Sequence, residues 1–146
     1  MIDDLIFLFR RDLDAFIQNL EAFPDDKLWD VPEGVKNSGG ILAQHIVGNL
    51  NYYIGVGLGN TGYKRNRPRE FTHTGRPKNE LINELLNTQE MIEEVLGNLS
   101  EDALENDYPL TVSYDYTTRR FLFHLYGHLS YHLGQLNYLR RMLSSG

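Results

Sequence analysis

The chain has no cysteine. That removes a disulfide scaffold, a thiolate metal site and a cysteine nucleophile from the possible chemistries. No apolar run approaches the roughly 20 residues needed to span a bilayer. The opening MIDDLIFLFRRDLDAF lacks the basic start and small-residue cleavage site of a secretory leader. Positive charge is also short: 14 Lys and Arg stand against 20 Asp and Glu, a net charge of −6. Phosphate backbones need a clustered basic surface, so no nucleic acid is expected as a partner. Together these absences predict a cytoplasmic protein with no membrane association. The one basic cluster, YKRNRPRE at 63–70, is expected to form a solvated loop or to meet a small anionic group.

Catalytic signatures are missing as well. The chain contains no Walker loop, no G-x-S-x-G, no His-Glu-x-x-His and no pair of Glu-x-x-His motifs. ATP-type phosphate chemistry, the serine nucleophile elbow, the common metalloprotease site and the carboxylate-bridged di-iron bundle are therefore disfavoured.

What is present is helical periodicity. At 146 residues and 41% hydrophobic content, the chain can bury one core, and residues 1–146 read as a single domain. Ile6, Phe9, Leu13, Phe16 and Leu20 step by three and four, with Pro24 closing that segment. A proline-containing loop follows, and Asn37 or Ser38 can cap a second helix from about 39 to 56. Glycines at 55, 57 and 59 weaken its end, and a long connection runs to about 76. Pro77 opens a third helix with Leu81, Leu85, Thr88, Ile92, Val95 and Leu99 inward. Asp115 or Thr117 can cap a fourth, running to about 143. Four such amphipathic segments predict an all-α four-helix bundle.

Two of the four apolar stripes turn polar. On the fourth helix the template Phe121, Leu125, His128, His132, Gln135, Leu139 places two imidazoles and an amide inward. On the second, His45 and Asn49 interrupt the face formed by Leu42, Tyr52 and Tyr53. Polar groups buried without partners cost about 1–3 kcal/mol each, so these must satisfy one another or a ligand. His128 and His132 are one turn apart, the spacing by which a helix presents two imidazoles to a metal, and His45 would complete three. Such a set suits Zn, Ni, Fe or Cu and leaves a coordination position open. A buried histidine network without metal accounts for the same pattern. His124 falls beside the stripe as a pocket-lining candidate, and Tyr53 and Tyr131 are placed to line a mouth. His73 is expected to be exposed, Trp29 to pack, and Arg119 and Arg120 to be solvated.

The strings GGILAQHIVGNLNYY and HLSYHLGQLNYLRR, with the tryptophan of DDKLWDVPEG before them, resemble the DinB/YfiT-like superfamily, whose members are regarded as metalloenzymes. The most specific element is H-x-x-x-H-x-G-Q at His128, His132, Gly134 and Gln135, coupled to His45. The resemblance implies an up-down-down-up bundle with a long crossover at 57–76, a divalent metal on His45, His128 and His132, and a homodimer. Relatives include thiol-dependent S-transferases and isomerases. The expectation is therefore a metal-dependent enzyme, with Zn or Ni foremost and Fe as a further candidate. Its metal would activate a thiol or water toward a small-molecule substrate, in the specific version as a low-molecular-weight-thiol S-transferase. A metal-dependent hydrolase and a non-catalytic metal or small-molecule binding bundle are the alternatives. Asn49 and Gln135 would orient the ligands or the bound nucleophile, and no catalytic residue is assigned.

Overall fold

A computed structural model describes residues 1–144. Four long helices form the bundle: α1 (Ile2–Ala22), α2 (Gly39–Leu50), α5 (Lys78–Gly97) and α6 (Thr118–Ser144). α2 continues through a widened π turn, Asn51–Val56, into the short α3 (Gly57–Gly59). α4 (Arg67–Thr72) lies within the connection that follows. Ser38 caps α2, its hydroxyl accepting from Ile41 N–H at 3.1 Å, and the Thr117 hydroxyl accepts from Arg120 N–H at the start of α6.

α1 packs against α5 and α6, and α2 packs against the same two, so α1 and α2 occupy opposite corners. Pairings along the helices give their directions. Arg10 meets Glu93 while Lys78 reaches the carbonyls of Glu21 and Phe23, so α1 and α5 are antiparallel. Arg11 pairs with Tyr126 and Asn19 with Asn137, so α1 and α6 are parallel. Asn51 bonds Thr88 while Gly59 lies against Val95, so α2 and α5 are parallel. The order is up-down-down-up. Two parallel neighbours in sequence require a crossover along the bundle, and residues 60–77 provide it.

The crossover is more than a connection. Asn66 accepts from Arg69 N–H at 3.2 Å, and Pro68 follows in the first turn, so NRPREFT forms a short helix where a loop was expected. α4 packs on the side of α2 that α5 and α6 leave uncovered, and every residue of α2 is buried. Gln44 fastens this cover by donating to the carbonyls of Glu70 and His73 at 3.0 and 2.9 Å. His73 is accordingly half-buried rather than exposed. Trp29 packs as expected, its indole donating to Arg76 O at 3.2 Å.

The core is aliphatic and aromatic: Phe9, Phe16, Ile46, Leu50, Leu81, Leu85, Leu125 and Leu129 are among its fully enclosed side chains. Each contributes about 1.5–3 kcal/mol through burial. The α5 stripe follows the predicted residues except that Leu96, not Leu99, closes it. The α6 stripe does not. Its buried apolar residues are Phe121, Leu122, Leu125, Leu129, Leu136 and Leu139; His128 and His132 are half-buried, and Gln135 is exposed. The inward face is turned by about one residue from the predicted register, which places the two imidazoles on the shoulder toward α2. The isolated pairing of Asp107 with Thr117 is the only extended contact among the described residues. No helix among them is long and apolar enough to cross a membrane.

Candidate metal centre

His45 lies in the middle of α2, where the surrounding helices enclose it to 6% exposure. Antiparallel packing brings His128 and His132 of α6 opposite it. His45 Nε2 lies 3.2 Å from His128 Nε2, and His132 Nε2 lies 3.1 Å from the same atom. The three candidate ligand nitrogens all fall within 4.8 Å of one another. Two nitrogens bound tetrahedrally at usual zinc distances are separated by about 3.3 Å. The two short separations are compatible with a common ion, and they are also the length of an N–H···N hydrogen bond.

The far sides of the rings set the protonation pattern. His45 Nδ1 lies 3.2 Å from Glu70 Oε1, and His132 Nδ1 lies 2.7 Å from Gln135 Oε1. Acceptors at Nδ1 hold the proton there and leave the Nε2 lone pairs facing inward. His128 can donate an Nε2 proton to one neighbour only, and its buried Nδ1 has no partner in either tautomer. Three converging lone pairs fit a cation better than they fit one another. The three histidines form a group that could hold a divalent metal ion.

Glu70 is the contributor that the sequence did not reveal. It is the single acid of the basic cluster 63–70, and α4 turns it inward to 7% exposure. Arg65 grips it with two bonds, Nε to Oε2 at 2.8 Å and Nη2 to Oε1 at 3.0 Å. The carboxylate sits against the backbone of α2 at Gly48. A β-carbon at that position would stand 1.8 Å from Glu70 Oε2, so no other residue leaves room for it. Burial pushes the Glu70 carboxyl up, but the hydrogen bonds from His45 and Arg65 prevail and hold it below the ordinary range. The cluster 63–70 is thus neither a simple solvated loop nor a free basic patch, since Arg65 is consumed internally. Arg119 is exposed, as expected of a solvated arginine, and pairs with Glu105 at 3.0 Å on the surface.

Burial lowers the His128 pKa to about 3, with His132, His45, His124 and Arg65 adding electrostatic opposition to a further charge. Burial also lowers that of His132, against the pull of Gln135. The unfolded chain, with histidines near 6.5, then binds protons that the folded chain refuses. Metal-free protein is expected to lose stability as pH falls below about 6.5, with the His128 share of the loss continuing to about 3. The lowered Glu70 carboxyl adds loss only below the ordinary Glu range near 4.3. Urea midpoints measured from pH 7.5 to 4.5 check this: a flat profile between 6.5 and 5 would contradict neutral buried imidazoles.

The cluster opens onto a cavity of about 620 Å3. Its lining includes His45, Asn49, Tyr53, His124 and His128. His124 is exposed on its outer side and stacks on Tyr116 and Phe121, with centroids 5.7 and 5.6 Å apart. It therefore lines the pocket and stands outside the three-nitrogen cluster. Tyr131 is 66% exposed and lies edge-on to His132 rather than in the cavity lining. Gln135 serves His132 from outside, not from the core position expected of it.

Comparison with known proteins gives a family and a fold. Residues 2–146 match the model of a family described as "Protein of unknown function (DUF1572)". Among solved structures, the chain is similar to a DinB-like protein of Bacillus subtilis, YjoA, at 19% identity and a TM-score of 0.73. The match covers 98% of this chain and 93% of that one. No curated protein matches the chain. The DinB-like fold agrees with the resemblance carried by the strings around His45 and His128.

Proposed function

The chain belongs to the DUF1572 family, and we propose that it is a metal-dependent enzyme whose metal is held by His45, His128 and His132. The observation that carries this reading is the inward convergence of three Nε2 atoms, with Nδ1 of His45 and His132 each backed by an acceptor. A structural site would be closed by a fourth protein ligand, whereas no fourth histidine or acid joins this group among the described residues, and a cavity lies beside it.

A bound divalent ion, Zn or Ni foremost and Fe next, would supply a Lewis-acidic position that favours the deprotonated form of a thiol or water. The chain's own residues do the rest. Glu70 and Gln135 keep protons on Nδ1 and fix the planes of two rings, and the enclosed wall of α2 limits water at His45. The substrate is a small molecule, since the cavity holds no more. The DinB-like resemblance supports the specific version, a low-molecular-weight-thiol S-transferase acting as a cytoplasmic homodimer.

The test uses protein purified without a histidine tag or chelator. Elemental analysis is expected to find one divalent transition metal per chain. The Zn- or Ni-loaded protein is then expected to transfer a low-molecular-weight thiol to an aryl halide electrophile. Ester hydrolysis without thiol transfer would shift the reading to a hydrolase. Metal without turnover of either kind would leave a binding bundle, and absence of metal would overturn the site.

A further inference from the structure

The cavity beside the histidines has three features that metal binding does not use. Its lining contains two arginines and no carboxylate. Arg65 is neutralised by Glu70, but Arg67 is exposed at the rim, has no acidic partner among the described residues, and lies 5.4 Å from the Phe71 ring centroid. At the inner end Asn49, 7% exposed, presents a buried Oδ1 that accepts no hydrogen bond. Leaving such an oxygen without a donor costs about 1–3 kcal/mol. The same lining is rich in aromatic side chains, with Phe121 packed against Tyr53 at 5.2 Å and Tyr116 at 5.5 Å.

We propose that this cavity binds a small carboxylate with a flat apolar body, its carboxylate at Arg67 and a hydroxyl or N–H group donating to Asn49 Oδ1. The sign of the charge follows from the lining: a free guanidinium with no acid to oppose it selects anions over cations. A divalent ion on three neutral imidazoles strengthens the same preference, and in that respect alone the proposal rests on the metal reading. The aromatic wall selects a planar body, which stacks at little entropic cost. A cavity of about 620 Å3 accommodates a one- or two-ring compound. The donor end enters first, because Asn49 is enclosed and Arg67 is at the rim.

The test compares three probes by NMR titration: 4-hydroxybenzoate, which has both groups; benzoate, which lacks the donor; and phenol, which lacks the anion. 4-Hydroxybenzoate is expected to bind saturably at one site, with benzoate and phenol each weaker by about tenfold. Arg67→Gln should abolish the advantage of 4-hydroxybenzoate over phenol while keeping its advantage over benzoate. Asn49→Ala should do the converse. A general loosening of the site would weaken all three probes alike, so uniform loss overturns the proposal, as does failure of 4-hydroxybenzoate to saturate. Running each titration on metal-free and Zn-loaded protein separates the two readings. Probe selectivity retained in a protein that takes up no metal supports the pocket and overturns the metal. Stoichiometric metal with no selectivity overturns the pocket alone.

Discussion

His128→Ala is expected to lower the metal content of the purified protein to that of a chelator-treated control. His128 is the common neighbour of the cluster: its Nε2 lies 3.2 Å from that of His45 and 3.1 Å from that of His132. Without it the remaining pair has no bridging ligand, and affinity should fall by at least about 100-fold, the order of one charge-assisted contact to a desolvated ion. Wild-type protein at a free-metal concentration about 100 times Kd gains about 2.7 kcal/mol of stability from binding. At the same metal concentration a 100-fold weaker site gains only about 0.4 kcal/mol, so the variant's melting temperature with and without added metal should nearly coincide.

The same substitution has an opposite expected effect on the metal-free protein. His128 has a buried Nδ1 without a partner and a pKa lowered to about 3 by burial and neighbouring charges. Alanine removes both the unsatisfied atom and the penalty for refusing a proton. The metal-free variant should therefore be less acid-sensitive than wild type between pH 6.5 and 5, although it has lost packing. Metal retained at wild-type stoichiometry, or an unchanged melting rise on metal addition, would show that the ion is held elsewhere. A site that costs stability when empty and returns it when filled is characteristic of function rather than of core design.

Much of this arrangement was legible because helical periodicity reports burial directly. On α5 the predicted stripe Leu81, Leu85, Thr88, Ile92 and Val95 is buried as read. On α6 two templates compete, 121-125-128-132-135-139 and 122-125-129-132-136-139, sharing Leu125, His132 and Leu139. The second carries Leu122, Leu129 and Leu136 and wins, because burying leucine is favourable and burying Gln135 is not. The register that singles out His128 and His132 as core positions is about one residue away from the buried one, and both imidazoles sit on the shoulder of the core, facing α2. The π turn after Leu50 was invisible for a different reason. Asn51, its first residue, donates to Val47 O within the helix and to Thr88 Oγ1 across on α5, both at 2.8 Å, and no local pattern encodes that partner on α5.

Glu70 was the larger omission, and its signal was present in part. Asn66 followed by Pro68 is a helix start, and one acid among four cations invites an ion pair. What no local rule supplies is the return of that helix onto α2. It depends on left-handed residues, Asn60 at φ 48° and Gly62 at φ 77°, and on Gln44 tying down two carbonyls 26 and 29 residues away. Tertiary closure, not propensity, puts the carboxylate behind His45.

Gly48→Ala, a change of one methyl group, is expected to weaken metal binding by about 10–100-fold, the effect seen when a ligand histidine loses its orienting partner. On propensity alone the change would stabilise α2 by about 0.8–1 kcal/mol. The structure reverses that sign, because the new β-carbon would stand 1.8 Å from Glu70 Oε2 and 2.4 Å from its Cδ. The carboxylate must retreat, and with it go the contact to His45 Nδ1 and the two-pronged grip of Arg65. Arg65, whose side chain is only 10% exposed, is then left with a poorly paired charge, and breaking a buried pair costs about 3–5 kcal/mol. Glu70→Gln separates these consequences: the amide can still accept from His45 Nδ1 but cannot neutralise Arg65, so stability should fall more than metal affinity. Gly134→Ala is the control, since nothing lies within 4 Å of a β-carbon there; it should keep wild-type affinity. Metal titrations and urea midpoints on the three variants decide the matter. If Gly48→Ala binds metal like Gly134→Ala, Glu70 does not position His45, and the cover supplied by α4 is packing alone.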